Sequence, residues 1–348
     1  MKYAAAGVVI VAGAAAGAYY ATRPTGPTTT AATETAPAKI NIAYDFAPCE
    51  AVFYVAMKKG FFADEGCPSE FGIVPCASAA EMREAIHSGN AIITYSAYEY
   101  IPAVDEGADF RYIMGAHTGC HELFVSTRFY DQGITDEKSL AQYLQSEKAA
   151  GRKPKVCIGA VGNSPYFFTA FFLENNGMSM DDIEVVSYDW GAILTAMQEG
   201  EIDIACEWDT IPRQAENAGI GKIVVDPARD PPYNELYCCF VGMNHTFTQT
   251  YPETTMQIVK AFAKAGTFVH NNPQESAEIM RGYGEELCPY TVEDLMACLP
   301  HYDYTDAGNL EREKKTLKTY GDATYRAGLI RHDGDWIVEN GLMHLYTP

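Results

Sequence analysis

The sequence predicts an α/β protein of two lobes, each a mainly parallel β-sheet flanked by helices, behind an apolar N-terminal segment. Three observations predict it. From Lys39 onward short apolar runs alternate with helix-period patterns, the sequence form of βαβ units. Helix start and stop residues stand where those patterns need them. The same arrangement then recurs in the second half of the chain. At 348 residues, 47% of them hydrophobic and 20% charged, there is enough apolar material for a core in each lobe.

Residues 4–20 (AAAGVVIVAGAAAGAYY) carry no charge and follow Lys2, which reads as a signal peptide or single membrane anchor. No cysteine follows the apolar run to accept a lipid, so an uncleaved anchor is the preferred form. Residues 21–38 hold Thr, Pro and Ala with almost no large apolar side chain, and read as a flexible tether.

Ile40–Ala43 reads as the first strand. The stretch Glu50–Gly60 places Val52, Val55 and Ala56 on one helical face, with Lys58 and Lys59 in the last turn and Gly60 as the stop. Ser78 followed by Glu81 is a capping-box pattern, and Gly89 ends that helix before the apolar run Ala91–Thr94. Ser164 and Pro165 stand at N-cap and first-turn positions of a Phe-rich helix that closes before Gly177. Ile183–Ser187 and Ile202–Cys206 read as strands. Beyond about residue 250 the pattern turns helical, over 252–270, 273–283, 291–299 and about 310–325, and these helices are expected to pack on the first lobe.

The repetition is visible residue by residue. AIHSG at 85–89 leads to a strand and then to Ile101-Pro102, and AMQEG at 196–200 leads to a strand and then to Ile211-Pro212. Two lobes on one plan place equivalent strand ends around a shared cleft.

The formal charge of −21 disfavours nucleic acid and anionic membrane surfaces as partners. Ten cysteines show no small-domain framework, and their pairing is not deducible from spacing. Neither a GxSxG elbow nor an HExxH pair is present, so hydrolytic and zinc-peptidase chemistry have no motif to rest on.

YDFAP at 44–48, VAMKKGFFADEG at 55–66, SGNAII at 88–93, GNSPYF at 162–167, QEGEIDIA at 198–205 and HNNPQESA at 270–277 resemble the binding proteins that carry nitrate, aliphatic sulfonates, taurine and thiamine pyrimidine precursors. The resemblance covers Lys39 to about Ala297. It implies a type II periplasmic-binding-protein fold whose lobes close on a small ligand outside the cytoplasm. The closed protein would then dock, as a monomer, on an ABC permease and its ATPase. The lobes would be residues 39–124 with 240–348, and 125–239, with crossings near Leu123–Ser126 and Cys239–Gly242. No cofactor is called for.

The same geometry implies a cleft lined by strand-end loops. Its candidate ligand-binding residues are Asp45, Phe46, Ser78, Tyr95, Ser96, Tyr98, His117, Asn163, Ser164, Tyr166, Asp189, Trp190, Glu207 and Trp208. Helix N-termini at Ser78, Ser96 and Ser164 would suit an anionic group. The aromatic rings would sandwich a flat ligand. Carboxylates at Asp45, Glu99, Glu122, Asp189, Glu207 and Asp209 would accept hydrogen bonds from an amino group. Glu207 beside Trp208 suits an aminopyrimidine, and both ligand classes stay open.

Two competing readings concern cysteine and histidine. YCCF at 237–240 resembles part of the Cys-rich motif of an iron-dependent pyrimidine synthase of thiamine biosynthesis, which would make Cys238 and Cys239 essential to an enzyme. His117, Cys120 and His121, with Glu122, form a weak transition-metal candidate. A tethered ligand sensor would share every feature above.

Overall fold

The computed structural model describes residues 35–96, 99–159 and 162–346. The expected anchor and nearly all of the tether lie outside these residues. Among the described residues no helix is long and apolar enough to cross a membrane.

Among the described residues ten strands form two five-stranded sheets. The first contains β1 (Lys39–Tyr44), β2 (Glu70–Pro75), β3 (Ile93–Ser96), β4 (Phe110–His117) and β10 (Cys239–Asn244), in the order β2-β1-β3-β10-β4. The second contains β5 (His121–Ser126), β6 (Lys155–Ile158), β7 (Glu184–Val186), β8 (Ile204–Trp208) and β9 (Gly221–Val225), in the order β7-β6-β8-β5-β9. In the first sheet β1 runs parallel to β2 and β3, while β10 is antiparallel to β3 and β4. In the second, β6 runs parallel to β7 and β8, while β5 is antiparallel to β8 and β9. The sheets are therefore more mixed than expected. The strand that arrives from the other lobe enters each sheet from the opposite end, so its direction is reversed.

The internal repeat has a structural counterpart. β3 and β8 occupy the same place, third in line and next to the antiparallel strand. Each is followed by a short helix with proline in its first turn, Ile101–Asp105 and Ile211–Asn217. Alternation along β5 sends Leu123 and Val125 to one apolar cluster and Phe124 to another, so the second sheet is covered on both faces.

The chain passes from the first sheet to the second at residues 118–120 and returns over 226–238. Both crossings fall a few residues ahead of the positions implied by the resemblance. β5 is already paired with β8 from His121, and Cys239 already pairs with His117. A disulfide between Cys120 and Cys238 joins the two crossing segments, and the other eight cysteines are free and buried.

Local signals formed as the sequence requires. The helix Ala51–Lys59 ends on Gly60 at φ 72°, a left-handed conformation that costs glycine little. Ser78 Oγ accepts from the Glu81 amide at 3.2 Å, and the Glu81 carboxylate accepts from the Ala77 amide at 2.8 Å. The helices Pro252–Asn271 and Pro273–Arg281 pack on Ala51–Lys59 of the first lobe. Leu310–Arg326 touches both lobes: it meets β4 and also the helix Ser164–Asn175, with Arg326 Nη2 2.8 Å from the Glu174 carboxylate.

Candidate functional site at the lobe junction

The loop after β1 turns sharply at Phe46, whose φ of 69° is rare for a non-glycine residue and is held by edge contact of its ring with Tyr44 at 5.1 Å. The turn brings Asp45, Pro48 and Cys49 to the junction of the lobes. There they meet Tyr95 and Glu99 from the end of β3, and Cys239 from the start of β10. Cys120, His121, Ser164, Trp208 and Asp209 approach from the crossing and the second sheet, and Tyr302 from the C-terminal region. Together they enclose a cavity of about 30 Å³. That is room for one or two waters or a small ion, so a larger ligand requires the lobes to part.

The lining is acidic, and among the described residues it contains no Lys or Arg. Asp45 accepts from the Ala47 amide at 3.3 Å, and its own amide donates to Glu50 at 3.2 Å. Burial, with Glu99 nearby, pushes the Asp45 carboxyl up to about 6. Glu50 is buried behind it and pushed well above the usual carboxylate range by the same desolvation. Asp209 is held at about 6, raised by burial and opposed by Arg213. Two guanidinium groups touch lining residues from outside the cavity: Arg83 donates to the Glu99 carbonyl at 3.1 Å, and Arg213 is committed to a buried acidic cluster. Arg213 contacts Glu122 at 2.9 Å, Asp226 at 3.3 Å and Asp209 at 3.8 Å.

A hydrogen bond joins the two lobes across the cleft. Ser164 Oγ donates to Glu99 Oε1 at 3.1 Å. Ser164 is free to do so because Asn163, and not Ser164, caps the helix, its Oδ1 accepting from the Tyr166 amide at 3.1 Å.

Thiols and the His121 imidazole form the floor, with His117 behind them. His117 is fully buried, stacked on Tyr95 at 5.6 Å and flanked by Tyr302 and Tyr304. Its Nδ1 lies 3.2 Å from the Thr118 carbonyl, which only accepts, so Nδ1 carries the proton. Burial holds His117 down at about 4 and His121 at about 3, so both rings are neutral at pH 7. His121 Nδ1 lies 3.1 Å from Cys238 Sγ and 3.5 Å from Cys120 Sγ.

Of the residues expected in the cleft, Asp45, Tyr95, Ser164 and Trp208 line the cavity. His117 stands directly behind Tyr95. Phe46 and Asn163 shape the loops that carry their neighbours. Glu207 faces the interior of the second lobe, directly opposite Glu122 in the β5–β8 ladder, and burial pushes its carboxyl up to about 8. Two like charges would be costly there, and protonation of Glu207 with Arg213 against Glu122 resolves the clash. Ser78 and Asp189 are exposed helix caps, and Tyr166 is half-buried beside Phe167. None of these three lines the cavity. Tyr98 and the side chains of Ser96 and Trp190 lie outside the described residues. Tyr302 had no sequence signal: it reaches the cleft because Asp303 bridges to Thr118 at the crossing.

Residues 33–281 match the model of the NMT1-like family. The chain belongs to the NMT1-like family. The fold is shared with solved binding proteins at low identity. The periplasmic aliphatic sulphonate-binding protein SsuA of Escherichia coli superposes with a TM-score of 0.70 at 17% identity, over 87% of this chain and 97% of that one. The periplasmic nitrate-binding protein NrtA of Synechocystis gives 0.69 at 14%, over 88% and 86%. The ligand-binding component of an ABC-type import system from Staphylococcus aureus, solved with zinc bound, gives 0.68 at 13%, over 88% and 97%. No curated protein matches the chain. This NMT1-like chain thus has the two-lobed type II periplasmic-binding-protein fold.

Proposed function

We propose that this NMT1-like protein is the extracytoplasmic solute-binding component of an ABC-type importer. It captures a small ligand between its lobes, closes about the two crossing segments, and releases the ligand unchanged to a permease and its ATPase. Support comes from the family, the shared fold and a cavity lined by both lobes, with the Ser164–Glu99 hydrogen bond joining them.

Within that role, the observation that carries the ligand class is the cavity lining: Asp45, Glu99 and Asp209, with no Lys or Arg among the described lining residues. A monoanion about 4 Å from one carboxylate meets a repulsion of about 4 kcal/mol at an effective dielectric near 20. Among the described residues no lining cation offsets it, so nitrate and sulfonates are disfavoured. A ligand that donates hydrogen bonds or carries positive charge, such as an aminopyrimidine, is favoured, and Tyr95 and Trp208 supply rings for it to rest on.

Calorimetry and thermal-shift titration of the purified protein with an aminopyrimidine, taurine, an alkanesulfonate and nitrate test this. The expected result is stoichiometric binding of the amine-bearing heterocycle, with recovery of the ligand unaltered. Tighter binding of nitrate or the alkanesulfonate would refute the ligand class. Conversion of any ligand to product would refute the carrier role and favour the cysteine-dependent enzyme.

A further inference from the structure

The cavity floor carries donor atoms that ligand capture between the lobes does not use. Cys49 Sγ, Cys120 Sγ, Cys239 Sγ and one ring nitrogen of His117 all lie within 4.8 Å of one another. They come from four separate places: the turn after β1, the first crossing, the start of β10 and the end of β4. Tetrahedral zinc, with Zn–S of about 2.3 Å and Zn–N of about 2.0 Å, sets its ligand atoms about 3.5–3.8 Å apart. The four donors therefore need to draw in by roughly 1 Å at most to reach that geometry.

A second observation points the same way. His117 Nδ1–H is spent on the Thr118 carbonyl, which turns the lone pair of Nε2 loose. That Nε2 is fully buried and has no hydrogen-bond partner among the described residues. A buried unpaired acceptor costs about 1–3 kcal/mol. An imidazole oriented by a backbone carbonyl, with its other nitrogen left without a partner, is the arrangement that metal-ligating histidines adopt. The cavity of about 30 Å³ lined by Cys49, Cys120 and Cys239 has the size of an ion site. Three sulfurs and one imidazole are soft donors, which select zinc-class cations over magnesium or calcium.

We infer that Cys49, His117, Cys120 and Cys239 form a four-coordinate site for a zinc-class divalent cation at the floor of the cleft once Cys120 is reduced. Cys120 shares a disulfide with Cys238, so completion of the site requires a two-electron reductant of the thiol or phosphine class. The reductant converts that bond to two thiols. Metal entry then displaces one proton from each of three thiols, leaving three thiolates and one neutral imidazole on the ion. The site does not rest on the importer reading, since its ligands are fixed by the fold whatever the cleft carries.

The test is titration of the full chain, reduced with a phosphine and handled without oxygen, with Co²⁺ as spectroscopic probe and Zn²⁺ as competitor. One equivalent of Co²⁺ should bind with the intense visible bands of tetrahedral coordination and thiolate charge-transfer absorption, and Zn²⁺ should displace it. Cys49→Ser, Cys239→Ser and His117→Gln should each weaken binding at least ten-fold, while Cys157→Ser, in the core of the second lobe and outside the cavity lining, should leave it unchanged. The oxidised protein, with Cys120 tied to Cys238, should bind at least ten-fold more weakly than the reduced form. Weak octahedral bands, or equal affinity in both redox states, would overturn the assignment. Because a cleft variant can fail to fold, zinc K-edge absorption on the wild-type protein supplies an independent reading. Three sulfur neighbours and one nitrogen are expected, and a shell of only nitrogen and oxygen would overturn the site. Metal titration is done without organic ligand, so its failure leaves the capture experiment standing, and the reverse holds too.

Discussion

Replacing Arg213 by Met should destabilise the protein strongly at pH 8 and far less at pH 5. The guanidinium is buried with a side-chain exposure of 8%, and it contacts carboxylates of Glu122, Asp226 and Asp209 that are themselves almost fully buried. Methionine fills much of the same space, so the loss is chiefly electrostatic: three acidic groups lose the cation that compensates them. Removing one partner of such a buried cluster costs about 3–5 kcal/mol. At about 2–4 °C per kcal/mol for a chain of this size, the melting temperature should fall by roughly 10 °C. The pH dependence follows from the direction of the shifts. Burial raises Glu122 well above its ordinary value and Asp209 to about 6. A carboxyl whose folded pKa is raised contributes stability that is complete below its unfolded pKa near 4 and is lost as pH rises through the folded value. Without Arg213 these values climb further, so the variant's deficit should shrink steadily from pH 8 to pH 5 as the carboxyls protonate. Thermal unfolding followed by circular dichroism across that range measures it. A deficit equal at both ends, or below about 1 kcal/mol throughout, would refute the idea that Arg213 compensates buried charge.

Other substitutions probe other parts of the argument. Glu207→Gln should be close to neutral at pH 7 and more stable than wild type at pH 9, because wild-type Glu207 loses stability as it ionises through about 8; chemical denaturation at the two pH values checks this. Ser164→Ala removes the 3.1 Å bond to Glu99, so ligand affinity should drop several-fold, in line with about 1 kcal/mol, while the melting temperature of the ligand-free protein barely moves; calorimetry and melting together decide it. Asn163→Ala should cost about 1 kcal/mol of stability in urea unfolding, whereas Ser164→Ala should not, since Asn163 is the residue that caps the helix. Gly242→Ala should destabilise by about 1–3 kcal/mol in the same assay, because its Cβ would fall 2.1 Å from Phe110 Cζ in the middle of the first sheet.

Much of the fold was written locally. The stop at Gly60, the cap at Ser78 and the twin motifs ending at Gly89 and Gly200 are short-range signals. A glycine in the left-handed region or a hydroxyl facing a free amide acts within one helical turn. The repeat also survived, because equivalent strands need equivalent neighbours. The sequence pattern could not show strand direction within each sheet, since a strand reads the same whichever way its partner runs. Nor could it show that Asn163 outcompetes Ser164 for the cap, a choice settled when the serine hydroxyl finds Glu99 in the other lobe.

The cleft divides in the same way. Asp45, Tyr95, Ser164 and Trp208 were legible because they follow strand ends, where an α/β sheet opens. Glu207 shares that position in the sequence, yet strand alternation turns it inward against Glu122, one residue before Trp208 faces the cavity. Cys49, Cys120, His117 and Cys239 span almost two hundred positions, and no spacing rule joins residues so far apart. By itself the sequence determined the element types, the two-lobed plan and the family, through periodicity and capping that operate over a few residues. The tertiary structure alone decided which acids are compensated by Arg213, which serine spans the lobes, and that thiols and an imidazole converge on one small cavity. Those depend on burial and on distances between segments that meet only after the two sheets have packed.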